Sequence, residues 1–293
     1  MTLYKMHALK FVNNSKYWLL GIAACLVTIH FYLSSKADDL EAMSLSIIFW
    51  GAIISLIWEK KDDLNLESGI FSSLFGSVIL VLMLFKTTQL SSSGLFLQLF
   101  PLICGLGLGL IASGVKGLKQ YWQEFILLLV LALPGERALS YLFEQLTTLT
   151  ISEDLTTLTA KFAAFTLGLL GFPVSLDQTD IILPNTVVNV YEGCSGARGM
   201  DFLLRLSILI LVMFPTDKLR KILAPVAAIL VALIVNGFRV TLMSYLANTG
   251  DNQAFDYWHL GNGSQIFGVI AVVIYGFICF LMLRQNQSEE PSS

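Results

Sequence analysis

Long apolar runs, each ended by a short polar loop, constrain this chain more than any other feature. Their cores are Tyr17 to Leu33, Met43 to Trp58, Gly69 to Phe85, Leu95 to Ser113, Trp122 to Tyr141, Phe202 to Phe214, Leu223 to Leu246 and Gln265 to Leu283. About 20 predominantly apolar residues carry a helix across a hydrocarbon layer ~30 Å thick. Within that layer only helices and closed barrels satisfy their own backbone hydrogen bonds. The pattern predicts an all-α polytopic membrane protein with about eight transmembrane helices. Composition agrees: 55% of the residues are hydrophobic and 13% are charged, outside the range of soluble domains. The first apolar run follows lysines as a signal peptide does, but it lacks a small-residue cleavage site and further spans follow, so it reads as a span.

The whole chain, 1–293, reads as one integral membrane domain. Lys60, Lys61, Lys116, Lys119, Lys218, Arg220 and Lys221 gather on one side of the expected bilayer. That bias places both termini in the cytoplasm of a multi-pass plasma membrane protein. The tail 285–293 is polar and reads as disordered. A formal net charge of -3 leaves no basic footprint for a nucleic acid. Four cysteines without paired spacing and three histidines give no disulfide framework and no metal site. No cofactor is expected.

The longest stretch outside the expected spans, 142–200, is an extracytoplasmic insert. Its first part mixes Leu and Phe with Thr, Glu and Asp, which predicts amphipathic helices along the membrane surface. A span from Lys161 to Phe172 is the alternative, but it is short. Val174 to Leu176 and Thr179 to Leu183 read as a small β-hairpin turning at Asp177-Gln178. Pro184-Asn185 ends it, and Thr186 to Tyr191 is a β-branched strand leading into a glycine-rich loop.

That loop is Glu192-Gly193-Cys194-Ser195-Gly196-Ala197-Arg198-Gly199. The other three cysteines, Cys25, Cys104 and Cys279, lie in apolar runs and read as buried core residues. A thiol between glycines and four residues before an arginine is accessible and electropositive, which favours the reactive thiolate. If the next helix begins near Ser195, its free amides face the thiol as well. The bland reading is a glycine turn. A second feature is Asn236-Gly237-Phe238-Arg239, inside an expected span. An arginine there faces a cavity or a partner, unless it snorkels to the headgroups; Asn236 shares its helix face. The third is His259, just before the last span. Neutral imidazole takes a proton from a thiol and returns it to a leaving amine; beside Tyr257 and Trp258 it is otherwise an interfacial anchor. His7 and His30 read as non-catalytic. Arg205 pairs with Asp201 one turn earlier, and the Gly105, Gly107, Gly109 stripe serves helix packing.

A glycine-flanked Cys-Ser-Gly, an intramembrane Asn-x-x-Arg and a histidine before the last span form an ordered set. The set resembles the exosortase/archaeosortase family of integral-membrane cysteine transpeptidases, over roughly Leu155 to Gly268. By position, Cys194 resembles the family's nucleophile, Arg239 its arginine and His259 the histidine of bacterial members. Arg198, Asn236, Ser195 and Gly196 take supporting or substrate-binding places. Ala197 and Gly199 replace the bulky aliphatic residue and the serine common in the family. The resemblance implies a protease or transpeptidase that cleaves the C-terminal sorting signal of exported proteins at the outer face of the membrane. That signal is a Pro-Glu-Pro-type motif followed by a transmembrane helix and a basic tail. In the implied mechanism the Cys194 thiolate attacks the carbonyl, His259 moves the proton and Arg239 stabilises the oxyanion or binds the acidic motif residue. A thioester then passes to water or an amine. Two competing readings are a transporter, with Arg239, Arg205 and Asn236 lining an anion path, and a scaffold for exopolysaccharide assembly. Both predict no role for the thiol.

Overall fold

The computed structural model describes residues 15–36, 40–89, 94–133, 141–142, 144–145, 153–259 and 261–289. The chain forms two compact units, Met1–Pro134 and Gly135–Ser293.

The first unit holds α1 (Ser15–Lys36), α2 (Leu40–Glu59), α3 (Ile70–Gln89), α4 (Gly94–Gly117) and α5 (Trp122–Leu131). Helices α3 and α4 cross at small residues. A Cβ on Gly76 would lie 2.5 Å from the Gly107 carbonyl oxygen, so only glycine lets the two backbones approach this closely. The expected packing stripe thus includes Gly107. Helix α4 breaks at Gly114, where φ is 64°, one residue beyond the Ser113 end read from the sequence. Leu118–Tyr121 form a 3-10 turn before α5. Beside this break, Lys60 Nζ donates to Glu124 Oε2 at 2.8 Å and to the Gln120 carbonyl at 2.7 Å. His30, read as non-catalytic, is buried and accepts a hydrogen bond from Trp50 Nε1 at 3.0 Å; His7 lies outside the described residues. Cys104 is buried as expected, whereas Cys25 is exposed.

The second unit holds α6 (Leu155–Leu169), strands β1 (Ser175–Asp177), β2 (Asp180–Leu183) and β3 (Thr186–Asn189), then α7 (Ala197–Met213), α8 (Lys218–Thr249), α9 (Asn252–His259) and α10 (Asn262–Glu289). Helix α8 is its axis, packing against α6, α7, α9 and α10. Asp154 caps α6, accepting from the Thr157 amide at 2.8 Å. The helix buries Thr159, Ala160, Ala163 and Leu167 and leaves Phe165 and Leu169 outside. At 15 residues it reaches ~22 Å, short of a hydrocarbon crossing. One face of the expected surface helix is therefore core, docked on α8.

The strands form an antiparallel meander in the order β1-β2-β3. Leu176 pairs with Ile181, and Ile181 with Val188. Ile181 and Leu183 point into the core while Ile182 faces out, the alternation of a half-buried strand. The first turn falls on Gln178-Thr179, one residue later than the sequence suggests, with Gln178 at φ 52°. The second turn is Pro184-Asn185, as expected. Asn185 anchors it to the end of α8: its amide N donates to Asn248 Oδ1 and its Nδ2 to the Asn248 carbonyl, both at 3.1 Å.

The all-α membrane architecture holds, but the span count differs. Six described helical segments are long and apolar enough to cross a membrane: Tyr17–Lys36, Ala42–Glu59, Ile70–Thr87, Gly94–Leu131, Lys218–Thr249 and Gly263–Arg284. The core expected at Leu95 to Ser113 and the start of that at Trp122 to Tyr141 merge into Gly94–Leu131; residues 134–140 lie outside the described residues. The core expected at Phe202 to Phe214 belongs to α7, whose 17 residues include Arg198, Asp201 and Arg205. The expected disordered tail is helical as far as Glu289, and 290–293 lie outside the described residues.

Candidate active site

Three elements bring the singled-out side chains together: the Cys194 loop, the middle of α8 and the end of α9. The loop is a tight 3-10 turn, Glu192–Cys194. The Cys194 amide donates to the Tyr191 carbonyl at 2.8 Å, and the Ser195 amide to the Glu192 carbonyl at 3.2 Å. Ser195 Oγ donates to the same Glu192 carbonyl at 2.7 Å. Gly196 then takes φ 85° as the N-cap of α7, a left-handed conformation open to glycine at little steric cost. The helix therefore starts at Ala197, and Cys194 stands two residues before its cap rather than on its first turn.

Neighbouring helices fix the loop. Asn236 Nδ2 donates to the Cys194 carbonyl at 2.8 Å from α8. Thr159 Oγ1 donates to the Ser195 carbonyl at 2.9 Å from α6. A Cβ on Gly196 would lie 2.8 Å from Asn236 Nδ2, so the glycine admits the asparagine as well as the turn.

Cys194 Sγ lies 3.9 Å from His259 Nε2, across 65 residues of sequence. Arg239 Nη2 donates to the His259 carbonyl at 3.0 Å, tying α9 to α8. The Phe255 ring packs beside the imidazole, centroids 5.1 Å apart. Asp251 caps α9 by accepting from the Ala254 amide at 3.0 Å. Cys194, Asn236, Arg239 and His259 thus share one locus.

The electrostatics differ from those read in the sequence. Cys194 is buried, at 6% exposure, not accessible. Burial pushes its thiol above the ordinary value, against opposing pulls from the Arg239 charge and a Tyr191 hydrogen bond. The acting cation is therefore Arg239; Arg198 is exposed on the first turn of α7. His259 is held below the ordinary imidazole value, first by burial and then by Arg239, with exposed Asp256 opposing both. At neutral pH both partners are uncharged, a thiol facing a free imidazole.

Tyr191 and Thr159 were not singled out in the sequence. Tyr191 ends the β-branched run Thr186 to Tyr191, and Thr159 lies 35 residues upstream of Cys194 with no motif around it. A cavity of about 360 Å³ opens beside the loop, lined by Tyr191, Glu192, Ser195 and Ala197 with Asp154 and Asn189. Cys194 is not on its wall. Farther along α7, Arg205 Nε donates to Asp201 Oδ2 at 2.6 Å, a buried pair with both side chains at 5% exposure or less, as the spacing suggested.

The family model of the transmembrane exosortases (exosortase EpsH) matches residues 37–276. Over 110 residues the chain is 28% identical to the probable archaeosortase E of Methanocaldococcus jannaschii, a stretch covering 38% of this chain and 57% of that protein. The chain thus spans little more than half the length of that curated relative. No solved structure matches the chain. Matched by one family model over most of its length, the chain belongs to the transmembrane exosortase family.

Proposed function

We propose that this protein is a membrane-embedded cysteine endopeptidase and transpeptidase that removes C-terminal sorting signals from exported proteins. The observation that carries the reading is the 3.9 Å approach of Cys194 Sγ to His259 Nε2, with Arg239 bonded to the carbonyl of that histidine. A thiol and an imidazole within reach of one another form the working pair of nucleophilic cysteine catalysis.

The resting pair is neutral, so proton transfer accompanies attack. Cys194 Sγ bonds to the scissile carbonyl carbon as its proton passes to His259 Nε2. The tetrahedral oxyanion then collapses, the C–N bond breaks, and His259 returns the proton to the leaving amine. The acyl group remains as a thioester on Cys194. Water or an amine acceptor gives a proton to His259, attacks the thioester and frees the thiol. Among the described residues, Arg239 Nε is buried and makes no hydrogen bond. That unused donor suits a developing oxyanion. Exposed Arg198 suits the carboxylate of a Pro-Glu-Pro-type motif.

In this reading the site faces the outside of the plasma membrane and both termini face the cytoplasm. The substrate is a secreted protein whose terminal transmembrane helix and basic tail hold it beside the loop. The test is a tagged substrate co-expressed with the protein and followed by immunoblot. Cys194→Ala abolishes the shortened product if the reading holds; unchanged processing rejects it in favour of a transporter or scaffold.

A further inference from the structure

Strand β3 is an edge of its sheet and runs straight into the Cys194 loop. Among the described residues its one strand neighbour is β2. In an antiparallel pair, opposed residues exchange backbone hydrogen bonds at every second position. The Val190 amide donates to the Thr179 carbonyl at 3.0 Å, which sets the phase. Thr186, Val188 and Val190 therefore turn their backbone groups toward β2, and Val187, Asn189 and Tyr191 turn theirs outward. Among the described residues the amides of these three make no backbone hydrogen bond. All three residues are exposed, Val187 at 57% and Tyr191 at 51%. Tyr191 keeps the extended backbone, φ -96° and ψ 174°. The row of outward amides thus covers about 13 Å and stops just short of Cys194. Asn189, Tyr191 and Ser195 also line the cavity of about 360 Å³, so open space accompanies the strand end into the loop.

The direction of the strand is fixed as well. Asn185, at its start, is bonded to Asn248 near the end of α8. Cys194, beyond its end, is bonded to Asn236 in the middle of α8. The two contacts lie about three turns, or 18 Å, apart along that helix. Strand β3 therefore descends beside α8 from its C-terminal end to the sulfur.

We infer that the outer edge of β3 is the docking strand for the substrate: the segment on the N-terminal side of the scissile bond lies extended beside Val187, Asn189 and Tyr191 and pairs with their backbone groups. The inference rests on the cysteine-enzyme reading above. An extended peptide adds to an open sheet edge through main-chain hydrogen bonds, and this edge leads to the nucleophile. In that reading the end of α8 is outside and its middle is in the membrane. The exported domain then lies at the Asn185 end, and the terminal helix of the signal lies beyond Cys194. The substrate runs the same way as β3, so the pairing is parallel. The outward amides donate to substrate carbonyls, and the Val187 and Asn189 carbonyls accept from substrate amides. The Tyr191 carbonyl is already taken by the Cys194 amide at 2.8 Å, so the ladder ends where the loop begins. Main-chain groups alone form this row, so it sets the register of the scissile bond rather than the choice of side chain.

The probe is a synthetic peptide with the motif of the sorting signal, the residues before it and an apolar helix, presented to the full-length protein in nanodiscs. Each non-proline backbone amide on the N-terminal side of the scissile bond is N-methylated in turn. A strand edge bonds to every second residue of its guest. The expected result is a period of two: KM rises about two- to tenfold at alternate positions and kcat stays in place. Val187→Pro removes one outward amide at a place where an edge strand tolerates proline. It raises KM by the same factor and leaves the SDS unfolding midpoint unchanged. A flat scan, or losses without alternation, overturns the inference, whatever Val187→Pro does. An edge occupied by a second copy of this chain gives a flat scan and a dimer in size-exclusion chromatography that Val187→Pro dissolves. The two readings fail separately. Intact processing by Cys194→Ala removes the enzyme, whereas Cys194-dependent cleavage with a flat scan removes only the docking strand.

Discussion

Replacing Gly196 with alanine strikes the loop in two places. The backbone sits at φ 85°, ψ 1°, a left-handed conformation that costs an L residue about 1–2 kcal/mol. The new methyl would also stand 2.8 Å from Asn236 Nδ2 and 2.9 Å from its Cγ. Asn236 must move, and its 2.8 Å bond to the Cys194 carbonyl is lost, for about 0.5–1.5 kcal/mol more. Gly196→Ala should therefore destabilise the protein by about 2–3 kcal/mol. Reversible SDS unfolding in mixed micelles measures it. Gly199→Ala is the control: that glycine is helical and exposed, with nothing within 4 Å of an added Cβ, so the change is neutral or stabilising by up to about 1 kcal/mol. In an Asn236→Ala background, Gly196→Ala keeps its backbone cost and a 3.0 Å approach to the Cβ at position 236, but breaks no bond to the Cys194 carbonyl, leaving a coupling of about 1 kcal/mol. If Gly196→Ala is as silent as Gly199→Ala, or the coupling is zero, the clamp on the Cys194 carbonyl is not as described.

His259→Ala lowers substrate processing by about 10²–10⁴-fold while the fold survives, as read by immunoblot and by the unfolding midpoint. Because the imidazole is held below its ordinary value, it stays an uncharged base on lowering the pH until below about 6.5; the acid limb of the processing profile lies there, and a limb at or above that value contradicts the geometry. Removing the Asp256 charge makes protonating His259 harder still, so Asp256→Asn moves the same limb to lower pH. Lys60→Met leaves Glu124 charged, buried and without its partner, and lowers stability by about 3–5 kcal/mol; adding Glu124→Leu recovers most of the loss in the same unfolding assay.

The candidate site residues were easier to read in the sequence than the surface on which they sit. Asn236 and Arg239 stand out because polar groups are rare in apolar runs and a polar group there must have a partner; Cys194 stands out between two glycines, and His259 at the edge of the last apolar run. Pro184-Asn185 announced its turn for a similar local reason. Burial is not local. Spacing made Cys194 look open and charged by Arg198, but α6 and α8 close over the loop and present Arg239 instead. Tyr191 gives no signal because a tyrosine at the end of a strand is ordinary, and only the fold lays its ring over Gly193. The span count differed because hydropathy averages along the chain. It does not register that α7 ends after 17 residues that include Arg198, Asp201 and Arg205, or that the helical turn Leu118–Tyr121 joins α4 to α5 in one segment, Gly94–Leu131.

Cysteine catalysis as proposed requires a covalent acyl intermediate between Cys194 and its substrate. The direct measurement mixes the purified protein in nanodiscs with a tagged sorting-signal substrate, quenches in acid and determines the intact mass of the protein. The expected result is an adduct equal to the acyl fragment, located at Cys194, released by hydroxylamine and missing from Cys194→Ala. Substrate cleaved with no such adduct at any quench time, or an adduct that persists in Cys194→Ala, would contradict it.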